Sequence, residues 1–376
     1  MAQTESIHDP RPRLVELTRD LVLIPSTDGR PADRARCFQL VAQHLETIEG
    51  TEIRRFESGG YESMVAAPAG VAEPSVIMVG HIDVIEHGDS ALYRSEVRDG
   101  RIVGPGAGDM KGQVAIMIEL YRALQKRHPG LPVGVAVTSD EEVGGEHGIG
   151  YLFGEAGVRC GVALVPDGGS PTEVTVEEKG ILHLRLRAEG REIHAARPWL
   201  GPNAVLILSR ALAMIGERFE ILRGDEPEEG DHWYPTFSPT IVGTSNETVN
   251  CLPADAIAYA DIRFPPPFSA AQMEGIVRES AGDGLCVEVI VSAEPTHLAP
   301  DPLFLAVVTE LGGEPVSTVR ASGGSDARFI VEKGIPAILS RPLVGNLHGL
   351  DEWIEIDSMT RFYAVCEEYI VRKLTN

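Results

Sequence analysis

Three short acidic or histidine-bearing segments each follow an apolar run. Gly80-His81-Ile82-Asp83 follows VIMVG, Ser139-Asp140-Glu141-Glu142 follows VGVAVT, and Asp167 follows GVALVP. Runs of this length read as strands, and in open α/β sheets ligands gather outside the carboxyl ends of strands. His81 and Asp83 are two residues apart, so on an extended chain they point the same way and Asp83 can fix the tautomer of a metal-bound His81. Adjacent Glu141 and Glu142 diverge, which lets one bind metal while the other handles a proton. Asp109, in GPGAGDMKGQ, lies between a glycine-rich loop and a helix start, and its two oxygens suit it to bridging two cations. His348 lies in GNLHGLDEW. His81, Asp109, Glu142, Asp167 and His348 form a mixed nitrogen and oxygen donor set suited to zinc, cobalt or manganese. With Asp109 shared, each of two ions receives one histidine, one terminal carboxylate and the bridge.

Taken singly, these segments have plainer readings. H-x-D is a common turn, Asp109 can be a bare helix cap, and the acidic run at 140–142 can be a solvated turn. Phosphate cradling is disfavoured because the order G-x-x-x-x-G-K-[ST] is absent. His8, His44, His128 and His147 fall in a tail or on helical or turn segments, and His87, His183, His232 and His297 show no partner in sequence, so none joins the set.

The elements that must position these residues alternate. Leu14, Leu17 and Leu21 recur at helical spacing before Pro25, and Cys37, Leu40, Val41, Leu45 and Ile48 mark a second helix. Short runs at 53–56, 64–67 and 76–80 precede the loop 104–108 and a helical pattern over 110–127. Strands alternating with helices predict a mostly parallel sheet covered by helices on both faces. From about Val174 the pattern changes. ILHLRLRA puts Leu182, Leu184 and Leu186 on one face and His183, Arg185 and Arg187 on the other, as in a strand with one solvated side. A helix over 203–223, strands near 236–243, 256–264 and 287–291, and a helix beyond Ser269 make this stretch an α+β unit. The α/β character resumes near Pro300 with LFLAVVTEL, runs at 317–321 and PAILS, a helix after Ser325 and a closing helix from Asp357. The expected organisation is a catalytic domain from 1–175 plus 292–376, with 176–291 inserted. Gly224–Asp231 reads as a solvated acidic loop.

Composition narrows the class. The 376 residues accommodate two domains, and a net charge of −23 disfavours nucleic acid and anionic membranes as partners. Five scattered cysteines without a C-x-x-C pair indicate a reducing compartment. MAQTESIHDPRPR contains no apolar signal core, and no apolar run is long enough to span a bilayer, so a cytoplasmic location is expected.

The ordered segments GHID (80–83), GAGDMKG (106–112), DEE (140–142), VPDGG (165–169), GREIHAARP (190–198), GPNAV (201–205), NCLPADAIAYADIR (250–263), SGGSDARF (322–329) and HGLDE (348–352) span nearly the whole chain. In this set the sequence resembles the M20 metallopeptidase and aminoacylase family, which includes acetylornithine deacetylase, succinyl-diaminopimelate desuccinylase, glutamate carboxypeptidases and dipeptidases. The resemblance implies two divalent ions per subunit, zinc first with cobalt or manganese as alternatives. One would be held by His81, Asp109 and Asp167, the other by Asp109, Glu142 and His348. It makes Glu141 the general base and Asp83 the support of His81, and it implies a cis peptide at Asp109–Met110. His194, on its own most simply a loop histidine, would reach the developing oxyanion from the neighbouring subunit of a homodimer formed by the inserted dimerisation or lid domains.

Asn250 and Arg263 match a segment that grips a substrate carboxylate, although Arg263 also fits a solvated strand position. Ser322, Gly323, Gly324 and Arg328 are further candidates for substrate contact, with stabilisation of the helix face the other reading of Arg328. Pro105, Gln113, Ser325 and Ala327 depart from common family wording. They remove no ligand but weaken a specific desuccinylase assignment. The expected activity is hydrolysis of an amide bond in a small N-acyl amino acid, with carboxypeptidase or dipeptidase action as the alternative. A non-catalytic metal-stabilised amino-acid-binding protein is the reading from a different class.

Overall fold

Valine-, isoleucine- and alanine-rich runs of four to six residues form the centre of a sheet because each residue finds apolar cover on one face or the other. In the computed structural model, which describes residues 9–224, 232–282, 284–313 and 315–375, Val76–His81, Val133–Thr138 and Val162–Val165 are such strands and are buried throughout. Val76 and Met78 enter one apolar cluster, whereas Ile77 and Val79 enter another on the opposite face. Helices Arg11–Val22, Pro31–Glu46, Gly112–Arg127, Pro302–Gly312 and Ile356–Thr375 contribute to the first cluster, through residues such as Leu17, Phe38, Ile118, Phe304 and Tyr369. Ile149, Leu152, Phe153, Ala327 and Ile330 contribute to the second. The result is an α/β architecture with a sheet between two apolar layers.

The chain divides into two units. The first comprises Met1–Val176, Leu298–Arg320 and Ser325–Asn376, and the second Glu177–His297 with Ala321–Gly324. In the first, the strand order is Thr51–Ser58, Tyr61–Pro68, Val133–Thr138, Val76–His81, Val162–Val165, Ala337–Leu339, Glu173–Glu178. The four central strands are parallel and the outer pairings antiparallel. A smaller antiparallel sheet joins Val344–Gly345, Trp353–Glu355, Arg101–Val103 and Glu96–Arg98.

The second unit is an antiparallel sheet ordered Thr236–Gly243, Asp255–Phe264, Gly180–Glu189, Leu285–Ala293, with helices Ala204–Arg223 and Ala270–Ala281 sharing its core. Leu182, Leu184 and Leu186 are buried as their alternation predicts. Both helices begin on side-chain caps. Asn203 accepts from Val205 and Leu206 N–H, and Ser269 with Gln272 forms a capping box. The stretch 292–297, read on sequence as part of the catalytic domain, lies in this unit, where Thr296 and His297 pair with Glu178 and Glu177. Residues 225–231 of the expected acidic loop lie outside the described residues. Among the described residues no helix is long and apolar enough to cross a membrane.

Asp301 fastens the helix that ends the chain. It caps Pro302–Gly312 by accepting from Leu303 N–H at 2.9 Å, and it accepts from Tyr369 Oη at 2.9 Å and Lys373 Nζ at 2.7 Å on Ile356–Thr375. Partial burial raises the carboxyl pKa, but Lys373 and these hydrogen bonds outweigh it and hold the pKa below the usual value. A depressed folded-state pKa gives stability that is present above the unfolded value of about 3.9 and is lost as pH falls through the folded one. Asp301→Ala is therefore expected to lose about 1–2 kcal/mol in urea unfolding at pH 7. The difference from the parent should shrink at pH 3; an equal deficit at both pH values would contradict the assignment.

Candidate metal centre and active site

Parallel register brings the strand ends together. His81 is the last residue of its strand and sits opposite Thr138, so GHID and the Glu141–Val143 turn leave the sheet side by side. Val162–Val165 flanks Val76–His81 on its other side, with Asp167 two residues beyond. Asp109 and His348 arrive through the smaller sheet. Val103 pairs with Trp353, and Gly104 N–H donates to Glu352 O at 2.8 Å, which fixes the glycine loop beside the HGLDE segment. Gly106 adopts φ +79°, and a Cβ there would overlap Val84 Cγ1. The Asp109–Met110 peptide is cis.

Two clusters result. One ligand atom each from His81, Glu141 and Asp167 lies within 4.8 Å of the others, as does one each from Asp109, Glu142 and His348. Asp109 faces both clusters. Its Oδ1 is 3.2 Å from His81 Nε2 and its Oδ2 is 3.4 Å from His348 Nε2, which is also 3.4 Å from Glu142 Oε2. Asp83 orders this set twice, through its carbonyl 3.1 Å from His81 Nδ1 and its Oδ2, which accepts from Glu142 N–H at 2.9 Å.

A carbonyl only accepts, so His81 Nδ1 carries a proton and the Nε2 of the neutral ring presents its lone pair to Asp109. Buried His81 Nε2 and Asp109 Oδ1 have no hydrogen-bond partner among the described residues. Either a proton or a metal cation must lie between them. The donor set therefore fits divalent metal, which displaces that proton on binding.

The electrostatics agree. Burial pushes the Glu141 carboxyl up to about 7, with Asp109 and Asp83 adding to it against His81. Burial and then Asp109 push Glu142 up to about 10 and raise Asp167 well above the carboxylate range. Burial would raise Asp109 too, but His348 and His81 hold it well below its ordinary value. Burial lowers the His81 pKa, and Asp109 with Asp83 more than reverses this. Five carboxyl groups around two imidazoles can all ionise together only if further positive charge is bound among them.

The remaining sequence candidates separate. His194 lies on Ile193–His194, paired with Cys251–Leu252, and Ala195 N–H donates to Asn250 O at 2.8 Å, so His194 and Asn250 are neighbours. Ala196 N–H donates to His194 Nδ1 at 3.1 Å, which leaves the neutral ring's proton on Nε2 of an exposed side chain. Arg263 is occupied differently, since its Nε and Nη2 bind Asp261 at 2.8 and 3.0 Å and Asp261 also meets His183 Nε2 at 3.1 Å. Ser322 and Gly323 are exposed, Gly324 is half-buried, and a Cβ at Gly323 would meet nothing within 4 Å. Arg328 is buried, donates from Nη2 to Gly144 O at 2.6 Å and lies over the Phe329 ring, which sets it against the loop carrying Glu141 and Glu142.

Three residues here escaped the sequence reading. Arg341 Nη1 is 3.6 Å from Asp167 Oδ1. Asp326 is buried near Glu141 and Asp140, and its pKa is raised by burial and then by those charges. Glu352 accepts from Gly108 and Asp109 N–H. Asp326 and Glu352 sit inside quoted motifs, which was the available signal, whereas nothing in the sequence marked Arg341.

A carboxylate facing two histidine-and-acid clusters at the carboxyl edge of a parallel sheet defines a metallohydrolase. Comparison with known proteins agrees. A model of peptidase family M20/M25/M40 matches residues 77–372. A succinyl-diaminopimelate desuccinylase of Phenylobacterium zucineum is 30% identical over 393 aligned residues, covering 95% of this chain and 97% of that protein. Among solved structures, an M20 family metallo-carboxypeptidase from Sulfolobus solfataricus has a TM-score of 0.78 at 16% identity, covering 96% of this chain and 98% of that one. A dipeptidase from Saccharomyces cerevisiae has a TM-score of 0.78 at 13% identity, covering 98% and 97%. At these identities the two structures establish the fold alone. The chain belongs to peptidase family M20/M25/M40, as a metal-dependent enzyme of the amidohydrolase and peptidase class.

Because the Asp83 side chain sets Oδ1 3.4 Å from His81 Nδ1 and accepts from Glu142 N–H through Oδ2, Asp83→Ala is expected to lower metal affinity about 10- to 100-fold. Zinc titration of the stripped protein against a chromophoric chelator checks this. Unchanged affinity would remove Asp83 from the centre's support.

Proposed function

We propose that this enzyme hydrolyses the amide bond of a small N-acyl amino acid, with two divalent ions held by His81, Asp109, Glu142, Asp167 and His348. The observation that carries the reading is Asp109, with one oxygen toward each histidine. Zinc is the proposed native metal, with cobalt or manganese able to replace it. When bound, the ions acidify an attacking water and polarise the scissile carbonyl.

Glu141 takes the water's proton and delivers it to the nitrogen as the C–N bond breaks, and the water's second proton follows to the amine, so that a carboxylate and an ammonium group are released. Its place in the His81 and Asp167 cluster supports this role. His194 donates its Nε2 proton to the oxyanion, supported by the tautomer that Ala196 imposes. Asn250, Arg263, Ser322, Gly323, Gly324 and Arg328 are the proposed contacts to the substrate's polar groups. Arg263 would act through donors not engaged by Asp261, and for Arg328 the bond to Gly144 also supports a role in holding the catalytic loop.

The proposed assembly is a homodimer through the inserted unit, which is proposed to act as both dimerisation and lid domain. Trp199, Ile221, Ile241, Val242 and Val249 of that unit are exposed, and Thr236–Gly243 is an edge strand. A cytoplasmic setting belongs to the same proposal, supported by five unpaired cysteines.

Glu141→Gln is expected to keep its metal, measured by plasma mass spectrometry, while kcat falls by about 10²- to 10⁴-fold. His348→Ala should lose metal as well as turnover. Loss of metal from E141Q would make Glu141 a ligand and remove the base assignment. The substrate panel comprises N-acetyl, N-succinyl and N-formyl amino acids plus dipeptides, each under defined zinc loading. Preference for the dipeptides would replace deacylation with peptidase action.

If His194 acts across the dimer, mixing inactive H194A and E141A subunits should restore measurable activity. No recovery despite confirmed subunit exchange would refute that placement.

A further inference from the structure

We infer that Glu352 is a positioning residue that holds the bridging carboxylate and the distal histidine of the metal centre in mutual register. The inference rests on the reading of Asp109 and His348 as metal ligands. Glu352 is 2% exposed. Its Oε1 accepts from Gly108 N–H at 2.7 Å and Asp109 N–H at 2.8 Å, while Oε2 accepts from His348 N–H at 3.2 Å. Its own carbonyl accepts from Gly104 N–H at 2.8 Å, so the residue is anchored to the glycine loop by main chain and side chain together.

One carboxylate therefore spans the backbone of two ligands that belong to distant parts of the chain. His348 makes that grip necessary. Its φ of +63° lies in the left-handed region, which is unfavourable for a non-glycine residue and persists only where surroundings impose it. A buried carboxylate facing backbone donors supplies that imposition, and it makes no contact that would require Glu352 to bind an ion itself.

The chemistry of the side chain gives a specific test. A carboxylate accepts on both oxygens, whereas glutamine accepts on one and donates from the other end. In Glu352→Gln the oxygen stays with Gly108 and Asp109, because two donors facing the amide would be worse than one. The NH2 then faces His348 N–H, donor against donor. The variant should spare the Asp109 side and loosen the His348 side.

Zinc is titrated by calorimetry into the stripped full-length parent, E352Q, E352A and D109A, and the metal-free thermal midpoint of each is recorded. The parent is expected to bind two ions. E352Q should bind one ion with near-parental affinity and the other about 10- to 100-fold more weakly, with a parental metal-free midpoint and a kcat lowered more than KM is changed. E352A should weaken both. E352Q that binds both ions as the parent does, while D109A does not, overturns the role of Glu352 alone. D109A that binds both ions normally overturns the ligand reading, and this inference with it. A metal-free E352Q that is unfolded makes Glu352 a general folding residue and also rejects the inference. If E352A fails to fold, E352Q carries the test.

Discussion

Buried carboxylates that repel one another are the constraint on which the first unit is organised. Asp83, Asp109, Glu141, Glu142 and Asp167 crowd around His81 and His348, and burial alone would drive most of them to the protonated state. A fold tolerates such a group only where bound protons or cations resolve the repulsion, because unpaired buried charge costs several kcal/mol per ion. Asp109 is held ionised by the imidazoles on both sides of it. The strand ends, the glycine loop and the HGLDE segment are the means of keeping these charges close.

Two sheets divide that task. The large one delivers His81, the 141–143 turn and Asp167 from adjacent parallel strands, so their relative positions follow from register. The small one delivers Asp109 and His348 from segments far apart in sequence, through the pairing of Arg101–Val103 with Trp353–Glu355. Short hydrogen bonds then fix the residues within each source. Asp83 ties His81 to Glu142, Glu352 ties Asp109 to His348, and Arg328 ties the 325–329 segment to Gly144.

How much of this the sequence disclosed follows from the physics of each element. The parallel strands were legible because unbroken apolar runs end in His81, Asp140 and Asp167, an abrupt change of polarity that marks a sheet edge. The alternation of Leu182, Leu184 and Leu186 disclosed the one-sided sheet of the second unit equally well. The small sheet was not legible, since strands of two or three residues carry no periodicity. Nor were Glu352 and Arg328 readable as backbone clamps, because a side chain's hydrogen bond to a distant main chain leaves no spacing signature. The ion pair of Arg263 was nearer to hand. Asp261 stands on the same strand face two residues away, so the pair that engages its guanidinium was present in the alternation itself.

The discontinuity of the first unit has a consequence for how the protein is made. Asp109 leaves the ribosome well before His348, and at synthesis rates of about 5–20 residues per second the interval is roughly ten to fifty seconds. From the emergence of Asp167 until that of His348, the nascent chain carries Asp109, four further acids and a single imidazole of the eventual centre. On the proposed two-ion reading, a cation meeting the chain in that interval would find an incomplete donor set, which His348 completes only near the end of synthesis.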